Sequence, residues 1–135
     1  MYENIKNEAK KIESQIKKWR RDFHRHPETA FNEEKTSNKI NDFLEGLGLP
    51  VKRLAKTGLT AELEGKPGDK VVALRADIDA LPIEEEGEKE YISKNSGVAH
   101  VCGHDAHTAI LMGAAKVLTE NKDQFSGKVV FLFQP

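Results

Sequence analysis

Apolar residues recur every three or four positions in three stretches of the chain, and this spacing predicts three amphipathic helices. The first helix ends before Pro27, because proline disfavours helix at the residue before it. The second covers residues 33–47 with Asn32 as its expected N-cap, and the third covers residues 104–121. The apolar stripe of the first helix consists of Ile5, Ala9, Ile12, Ile16, Trp19 and Phe23.

Between the second and third helices the pattern changes to one typical of β-strands. Apolar and polar residues alternate over 59–63, and residues 71–76 form an apolar run that predicts a buried strand. The Lys-Pro-Gly-Asp segment at 66–69 is typical of a turn, so these two strands are predicted to form an antiparallel hairpin. Five apolar residues at 129–133 predict a central strand, and the polar segment 83–100 predicts a long surface loop.

The last predicted strand, residues 129–133, carries an expectation about the whole protein. A fully apolar strand needs neighbours on both edges, and open α/β sheets place their binding residues just beyond the ends of such strands. Because the chain stops at that end, we expect it to be the front part of a larger enzyme. In the chain by itself this strand is expected to lack a partner and to promote aggregation.

Composition restricts the class of protein without identifying an activity. The chain has 135 residues, a net charge of −1 and a mean hydropathy of −0.60, values typical of one soluble domain without a nucleic-acid partner. No apolar run approaches the roughly 18 residues of a membrane helix, and the N-terminus lacks the pattern of a signal peptide. We therefore expect no membrane partner. The chain's single cysteine allows no internal disulfide, which is typical of a reducing compartment, so we expect a cytoplasmic protein.

The densest candidate chemistry lies at residues 100–108, where three histidines, one cysteine and one aspartate occur together. Zinc prefers thiolate and imidazole ligands. Cys102 precedes a predicted helix N-terminus, where the helix dipole favours the thiolate, and Gly103 lets the backbone turn so that Cys102 and His104 can approach one ion. His107 follows one helical turn later. The alternative is an accidental cluster of polar residues at a helix start.

Asp77 and Asp79 follow the apolar run at 71–76 and form a second candidate cluster. Carboxylates directly after a strand occupy the usual position of metal ligands or general bases in α/β enzymes. One of them can also orient a metal ligand through a hydrogen bond. The alternative is a solvated pair that caps a turn before Pro82.

His24 and His26 form a third, weaker cluster at the end of the first helix. Basic groups there complement the negative end of the helix dipole, and we favour this interpretation over a role in lining a channel. The acidic run at 84–86 is interpreted as a solvated loop.

Four segments together resemble one known family in their order and spacing. The segments are RDFHRHPE at 21–28, LRADIDALP at 74–82, HVCGHDAHT at 100–108 and FLFQP at 131–135. The chain resembles the metal-dependent amidohydrolases that include N-acyl-L-amino-acid amidohydrolase (aminoacylase), hippurate hydrolase, N-acetyldiaminopimelate deacetylase and the plant auxin-conjugate hydrolases. These belong among the aminoacylase and carboxypeptidase-type metallopeptidases. The resemblance is specific to the family and to no single member.

The resemblance implies an α/β fold in which a mixed β-sheet is flanked by helices, as part of an incomplete zinc-exopeptidase-like catalytic domain. Residues 1–135 then form the N-terminal portion of that domain. The family continues with a pair of glutamates, one a general base and the other a ligand, with further histidine ligands, and with a lid domain used for dimerisation. We therefore expect these parts beyond Pro135, and a homodimer for the complete protein.

The resemblance also implies a role for particular residues. Cys102 and His104 match two ligands of a two-metal centre that holds zinc, manganese or similar divalent ions. Asp77 and Asp79 match the acidic pair beside that centre, in a supporting or catalytic role. Asp105 matches a catalytic position of the family's site. His107 matches an additional position at that site.

The implied reaction is metal-dependent hydrolysis of the amide bond of a small N-acyl amino acid. Two ions lower the pKa of a water to about 7 and polarise the carbonyl, while a glutamate transfers the proton. Without that glutamate, the chain alone is expected to be inactive. One alternative is a truncated, non-catalytic relative that at most binds a metal ion. A second is a cysteine hydrolase with Cys102 as nucleophile and His104 or His107 as base.

Overall fold

Four helices and four strands form the computed structural model, which describes residues 1–135. The helices are α1 (Tyr2–Lys11), α2 (Glu13–Arg25), α3 (Glu34–Gly46) and α4 (His104–Glu120). The strands are β1 (Val51–Leu54), β2 (Gly58–Glu64), β3 (Lys66–Asp77) and β4 (Ser126–Gln134). A 3₁₀ turn, Lys122–Gln124, connects α4 to β4. None of the helices is long and apolar enough to cross a membrane. The predicted α/β class with a mixed sheet is confirmed.

The three predicted helices are present, with one interruption. The first is divided into α1 and α2 at Ile12, whose φ of −102° and ψ of 9° depart from helical geometry. α2 ends at Arg25, before Pro27 as predicted, and Phe23 near its end is buried in the core. α4 spans the predicted segment to within one residue.

The predicted N-cap of α3 is wrong, because the helix begins at Glu34 and the side chain of Asn32 bonds within its own turn. The cap comes instead from Glu28, whose carboxylate accepts the backbone N–H of Thr36 at 2.6 Å and that of Lys35 at 3.2 Å. A carboxylate at this end of a helix satisfies unpaired N–H groups and complements the positive end of the dipole.

The strand order is β1-β2-β4-β3, so the predicted hairpin of β2 and β3 is wrong. β4 lies between them, antiparallel to β2 and parallel to β3. The chain after β2 passes around the start of β4, where Gly65 N–H donates to Gly127 O at 2.9 Å and Lys66 N–H donates to Phe125 O at 2.8 Å. A strand as apolar as β4 is most stable in the centre of the sheet, and this non-local preference outweighs the local turn signal. The expectation that β4 lacks a partner is also wrong.

β3 is an edge strand, which corrects the prediction of a buried strand at residues 71–76. Val71 and Val72 are 62% and 55% exposed, and Ala76 near its carboxyl end is buried. β3 pairs only with β4, and the helices pack over the middle of the sheet and the carboxyl end of β3. The exposed part of β3 therefore lies beyond the helical layer.

The hydrophobic core lies between the helices and one face of the sheet. α2 and α4 approach closely, because a Cβ at Gly113 in α4 would lie 2.7 Å from Ile16 Cδ1. The core residues come from α2, α3 and α4 and from the central strands β2 and β4: Phe23, Ile40, Leu44, Leu59, Ala61, Leu63, Leu111, Met112, Phe131 and Phe133. This packing fixes the first turn of α4 beside the carboxyl end of β3, where the candidate site lies.

Candidate metal centre

The carboxyl end of β3 and the first turn of α4 meet at the candidate centre. Asp77 is the last residue of β3, and His104 is the first residue of α4. Thr108 joins the two elements, because its hydroxyl donates to the backbone oxygen of Asp77 at 3.1 Å. Gly103 precedes the helix with a φ of 93°, a left-handed conformation that glycine adopts without strain.

Asp77, His104 and His107 form a compact cluster of potential metal ligands. One donor atom from each side chain lies within 4.8 Å of the others. Asp77 Oδ2 lies 3.2 Å from His104 Nε2, and Asp77 Oδ1 lies 2.7 Å from His107 Nδ1. The two imidazole rings are stacked with centroids 5.7 Å apart. A carboxylate and two imidazoles are donors that suit a divalent transition metal, so these residues fit the group that the resemblance implies.

Asp79 orients the ring of His104. His104 Nδ1 lies 2.8 Å from Asp79 Oδ1 and 3.1 Å from the Asp79 backbone oxygen. Two oxygen acceptors at this nitrogen fix it as a donor, so Nε2, which faces Asp77, is the ring nitrogen directed at the cluster. Carboxylates commonly hold metal-binding histidines in this way.

The electrostatics of the cluster favour an ionised Asp77. Partial burial raises the pKa of its carboxyl, but the hydrogen bond from His107 and the nearby imidazole of His104 outweigh this effect, so that the pKa lies below its usual value. Asp77 and His107 also border an open groove whose other walls are mainly apolar. The cluster is therefore reachable from solvent.

Cys102 is exposed and is not a member of the Asp77–His104–His107 cluster. No hydrogen bond joins its thiol to His104 or His107, whose Nδ1 atoms face Asp79 and Asp77. The role of Cys102 as a metal ligand stays a prediction from the resemblance. The arrangement also provides no thiol–imidazole pair of the kind that a cysteine hydrolase needs.

Asp105 points into the interior, away from the cluster. Its Oδ2 accepts Arg20 Nε at 2.8 Å and lies 2.8 Å from His24 Nδ1. Burial raises the pKa of the Asp105 carboxyl, but the bond from His24 and the charge of Arg20 together lower it below its usual value. A catalytic role for Asp105 remains a prediction, and its contacts are those of a buried ionic network.

Two interpretations of polar residues in the sequence are wrong. His24 is buried and contacts two carboxylates, so it is not simply a basic group at a helix end. Glu85, from the supposedly solvated acidic run, has a side chain only 4% exposed. The sequence offers one weak signal for His24, which lies one helical turn after Arg20 and next to Phe23. Nothing local distinguishes Glu85 from Glu84.

Two further buried polar residues lie around the centre. Burial lowers the pKa of His100 to about 4, so its ring is neutral at neutral pH, and neither of its nitrogens has a hydrogen-bond partner in the protein. Burial also raises the pKa of Glu33, which accepts a hydrogen bond from the Thr57 hydroxyl at 3.1 Å. The sequence pattern signalled neither environment, because both depend on packing between distant segments.

Comparison with known proteins identifies the relationship of the chain. Residues 73–135 match the model of peptidase family M20/M25/M40, and this segment contains Asp77, Asp79, Cys102, His104 and His107. N-acyl-L-amino acid amidohydrolase of Geobacillus stearothermophilus is 46% identical over 98% of the chain, which covers 36% of that protein.

Two solved structures share the fold. One is a putative aminohydrolase from methicillin-resistant Staphylococcus aureus, with a TM-score of 0.95 and 42% identity over all of this chain and 36% of that one. The other is the Bacillus subtilis YXEP protein, described as a dinuclear metal binding peptidase from the M20 family. Its TM-score is 0.88, with 41% identity over 93% of this chain and 36% of that one. The chain thus spans about a third of the length of these relatives. By sequence and by fold, the chain is similar to members of peptidase family M20/M25/M40, whose model matches residues 73–135.

Proposed function

We propose that the protein, in its complete form, is a metal-dependent hydrolase of the amide bond of N-acyl amino acids. The observation that carries this proposal is the Asp77–His104–His107 cluster, with Asp79 holding the ring of His104. The proposal is supported by the name of the Geobacillus relative, an N-acyl-L-amino acid amidohydrolase, and by that of the dinuclear metal binding peptidase from Bacillus subtilis.

Within the proposed centre, each residue has a distinct task. Asp77, His104 and His107 would hold a divalent ion, such as zinc or manganese, and the resemblance adds the thiolate of Cys102 to a two-ion centre. Bound ions would lower the pKa of a water to about 7 and polarise the acyl carbonyl. Asp79 keeps a hydrogen on His104 Nδ1, so that Nε2 retains its lone pair.

The remaining parts of the proposal concern the whole protein. We assign the general base, the remaining ligands and a lid domain to residues beyond Pro135, with 1–135 as the N-terminal portion of the catalytic domain. We further propose a cytoplasmic homodimer that acts on small molecules. The competing candidate is a non-catalytic relative that at most binds a metal ion.

Hydrolysis of N-acetyl and N-benzoyl amino acids by the complete protein, reloaded with Zn²⁺ or Mn²⁺ after chelation, tests the function. We expect activity that chelation removes and that His104→Gln abolishes, because the variant lacks the orienting bond to Asp79 and the Nε2 ligand. The matched control is His26→Gln, a change at an exposed histidine outside the cluster. A folded, metal-loaded protein that hydrolyses no acyl-amino acid would support the non-catalytic candidate.

Metal content of the complete protein tests the ligand prediction for Cys102. Cys102→Ser replaces a thiolate with a weakly coordinating hydroxyl, so we expect it to lower the number of ions bound per protein. Unchanged occupancy would show that Cys102 is not a ligand. Elemental analysis of the purified parent and variant gives the number directly.

A further inference from the structure

A buried ionic network lies beneath the first turn of α4. The ring of His24 in α2 is held between two carboxylates, with Nδ1 2.8 Å from Asp105 Oδ2 and Nε2 2.6 Å from Glu85 Oε1. The side chains of His24, Asp105 and Glu85 are 3%, 0% and 4% exposed. Arg20 completes the network through its 2.8 Å bond to Asp105.

Both carboxylates in this network are ionised. Burial raises the pKa of Glu85, but hydrogen bonds from His24, from the backbone N–H of Ser93 and from Lys89 outweigh it and lower the pKa to about 2. The pKa of Asp105 is also below its usual value. Carboxylate oxygens at both nitrogens of this buried ring hold it in one orientation between the two elements.

The two carboxylates belong to different parts of the candidate centre. Asp105 is the second residue of α4, directly after His104 and two residues before His107. Glu85 belongs to the loop 78–103, which begins near Asp79 and ends near Cys102.

Other contacts dock the middle of this loop on α2. Lys94 N–H donates to Arg25 O at 2.8 Å, and the ring of Tyr91 lies beside the guanidinium groups of Arg20 and Arg21, at 5.2 and 4.8 Å from its centroid. Two side chains of α2 touch both the loop and α4: Arg20, through Tyr91 and Asp105, and His24, through Glu85 and Asp105. His24 is the buried one of the two and contacts a carboxylate of each element. It is thus placed to couple the positions of the two elements.

We propose that His24 is a positioning residue of the metal centre: its buried ring joins Asp105 to Glu85 and so fixes the first turn of α4 against the loop that carries Asp79 and Cys102. The bond between Asp79 and His104 spans this same junction. Loss of the His24 bridge therefore loosens that bond although His24 touches neither residue. This role does not depend on the proposed hydrolase activity.

The test uses the ¹⁵N-labelled full chain and NMR correlations that report the ring nitrogens of its five histidines. In His24→Gln we expect the His104 Nδ1–H signal to shift and its exchange with solvent to accelerate about tenfold, because the junction opens more often. His26→Gln, at an exposed histidine at the end of the same helix, is the matched control and leaves His104 unchanged.

A second variant keeps the test decisive if His24→Gln does not fold. Glu85→Gln preserves the size of the side chain and weakens the bridge on its loop side by removing one of the two charges, so we expect the His104 signal to move in the same direction by less. The proposal is overturned if folded variants have lower melting temperatures while the His104 signal and its exchange rate stay at parent values.

Discussion

Glu33 is fully buried, yet only one of its carboxylate oxygens has a hydrogen-bond partner. Taking a charge out of water is unfavourable, so burial raises the pKa of this side chain, and the nearby charge of Asp79 adds to the effect. A group with a raised pKa in the folded state stabilises the fold below its unfolded value of 4.5, and this contribution is lost as the pH rises through the folded value.

We therefore predict that Glu33→Gln removes a pH-dependent loss of stability. The free energy of unfolding of the parent should fall as the pH rises above 4.5, whereas that of the variant should stay flatter. At pH 8 we expect the variant to be the more stable by about 1 kcal/mol, the scale of an unsatisfied buried polar group. Urea unfolding at several pH values measures this. Parallel curves for the two proteins would contradict the prediction.

In the proposed metal centre Asp79 acts through His104, so its effect should appear in metal affinity. We predict that Asp79→Asn weakens Zn²⁺ binding about 10- to 100-fold, because the amide holds the His104 ring less firmly with Nε2 free. Calorimetric titration of the apo protein measures the affinity. Asp69→Asn, an exposed aspartate in β3 remote from the centre, is the control and should leave it unchanged.

At the scale of single residues, the sequence predicts which side chains can bind a metal but not which of them lie close together in the fold. Asp77, His104 and His107 are all candidates from the sequence, because a strand end and a helix start have local signals. The orientation of Asp105 and the burial of Glu85 depend on contacts with α2, some sixty or more residues away in sequence. No local pattern encodes such a partner.

Among the elements, β4 requires the tightest backbone approach in the fold. Gly127 near its start has a φ of 95°, and a Cβ there would overlap the backbone oxygen of Lys70, where the chain from β2 to β3 passes around β4. Glycine is thus needed both for its conformation and for its lack of a side chain. The residues at 66–69 favour a turn, but they do not make β2 and β3 neighbours. The chain passes around the start of β4 there, so that β4 lies between the two strands.

We predict that Gly127→Ala lowers the free energy of unfolding by about 2 kcal/mol or more, since left-handed strain and a backbone clash add together. Gly87→Ala is the matched control, because Gly87 has a φ of 107° and no atom lies within 4 Å of the point that its Cβ would occupy. Gly87→Ala should lower the free energy of unfolding only by the cost of the left-handed backbone conformation. Equal losses in urea unfolding would mean that the clash with Lys70 is relieved at no cost.

For the whole molecule, β3 forms an exposed edge of the sheet. The exposed valines at 71 and 72 lie on a strand with unpaired backbone groups along one side. Such edges favour pairing between molecules. The sequence could not identify this edge, because the choice of neighbours for β3 was decided by the burial of β4 rather than by the residues of β3.

We predict that the chain 1–135 self-associates through β3 and that Val71→Lys reduces this association without lowering the melting temperature. Light scattering over a range of concentrations measures the change. Ile83→Lys, which removes an exposed apolar side chain outside the sheet, is the control. Equal effects of both substitutions would point to general surface hydrophobicity instead of the strand edge.

The parallel pairing of β3 with β4 has a kinetic consequence. The paired residues are separated in sequence by the whole of the loop and α4, and closing so long a segment makes this pairing a late event in folding. The metal donors at the end of β3 and the start of α4 come together only then, so a divalent ion should slow unfolding and leave the refolding rate unchanged. Stopped-flow unfolding and refolding, each with Zn²⁺ and with a chelator, measure the two rates. Faster refolding with the ion would mean that the donors assemble early in folding. An ion that slows unfolding alone extends the lifetime of the native state without speeding its formation.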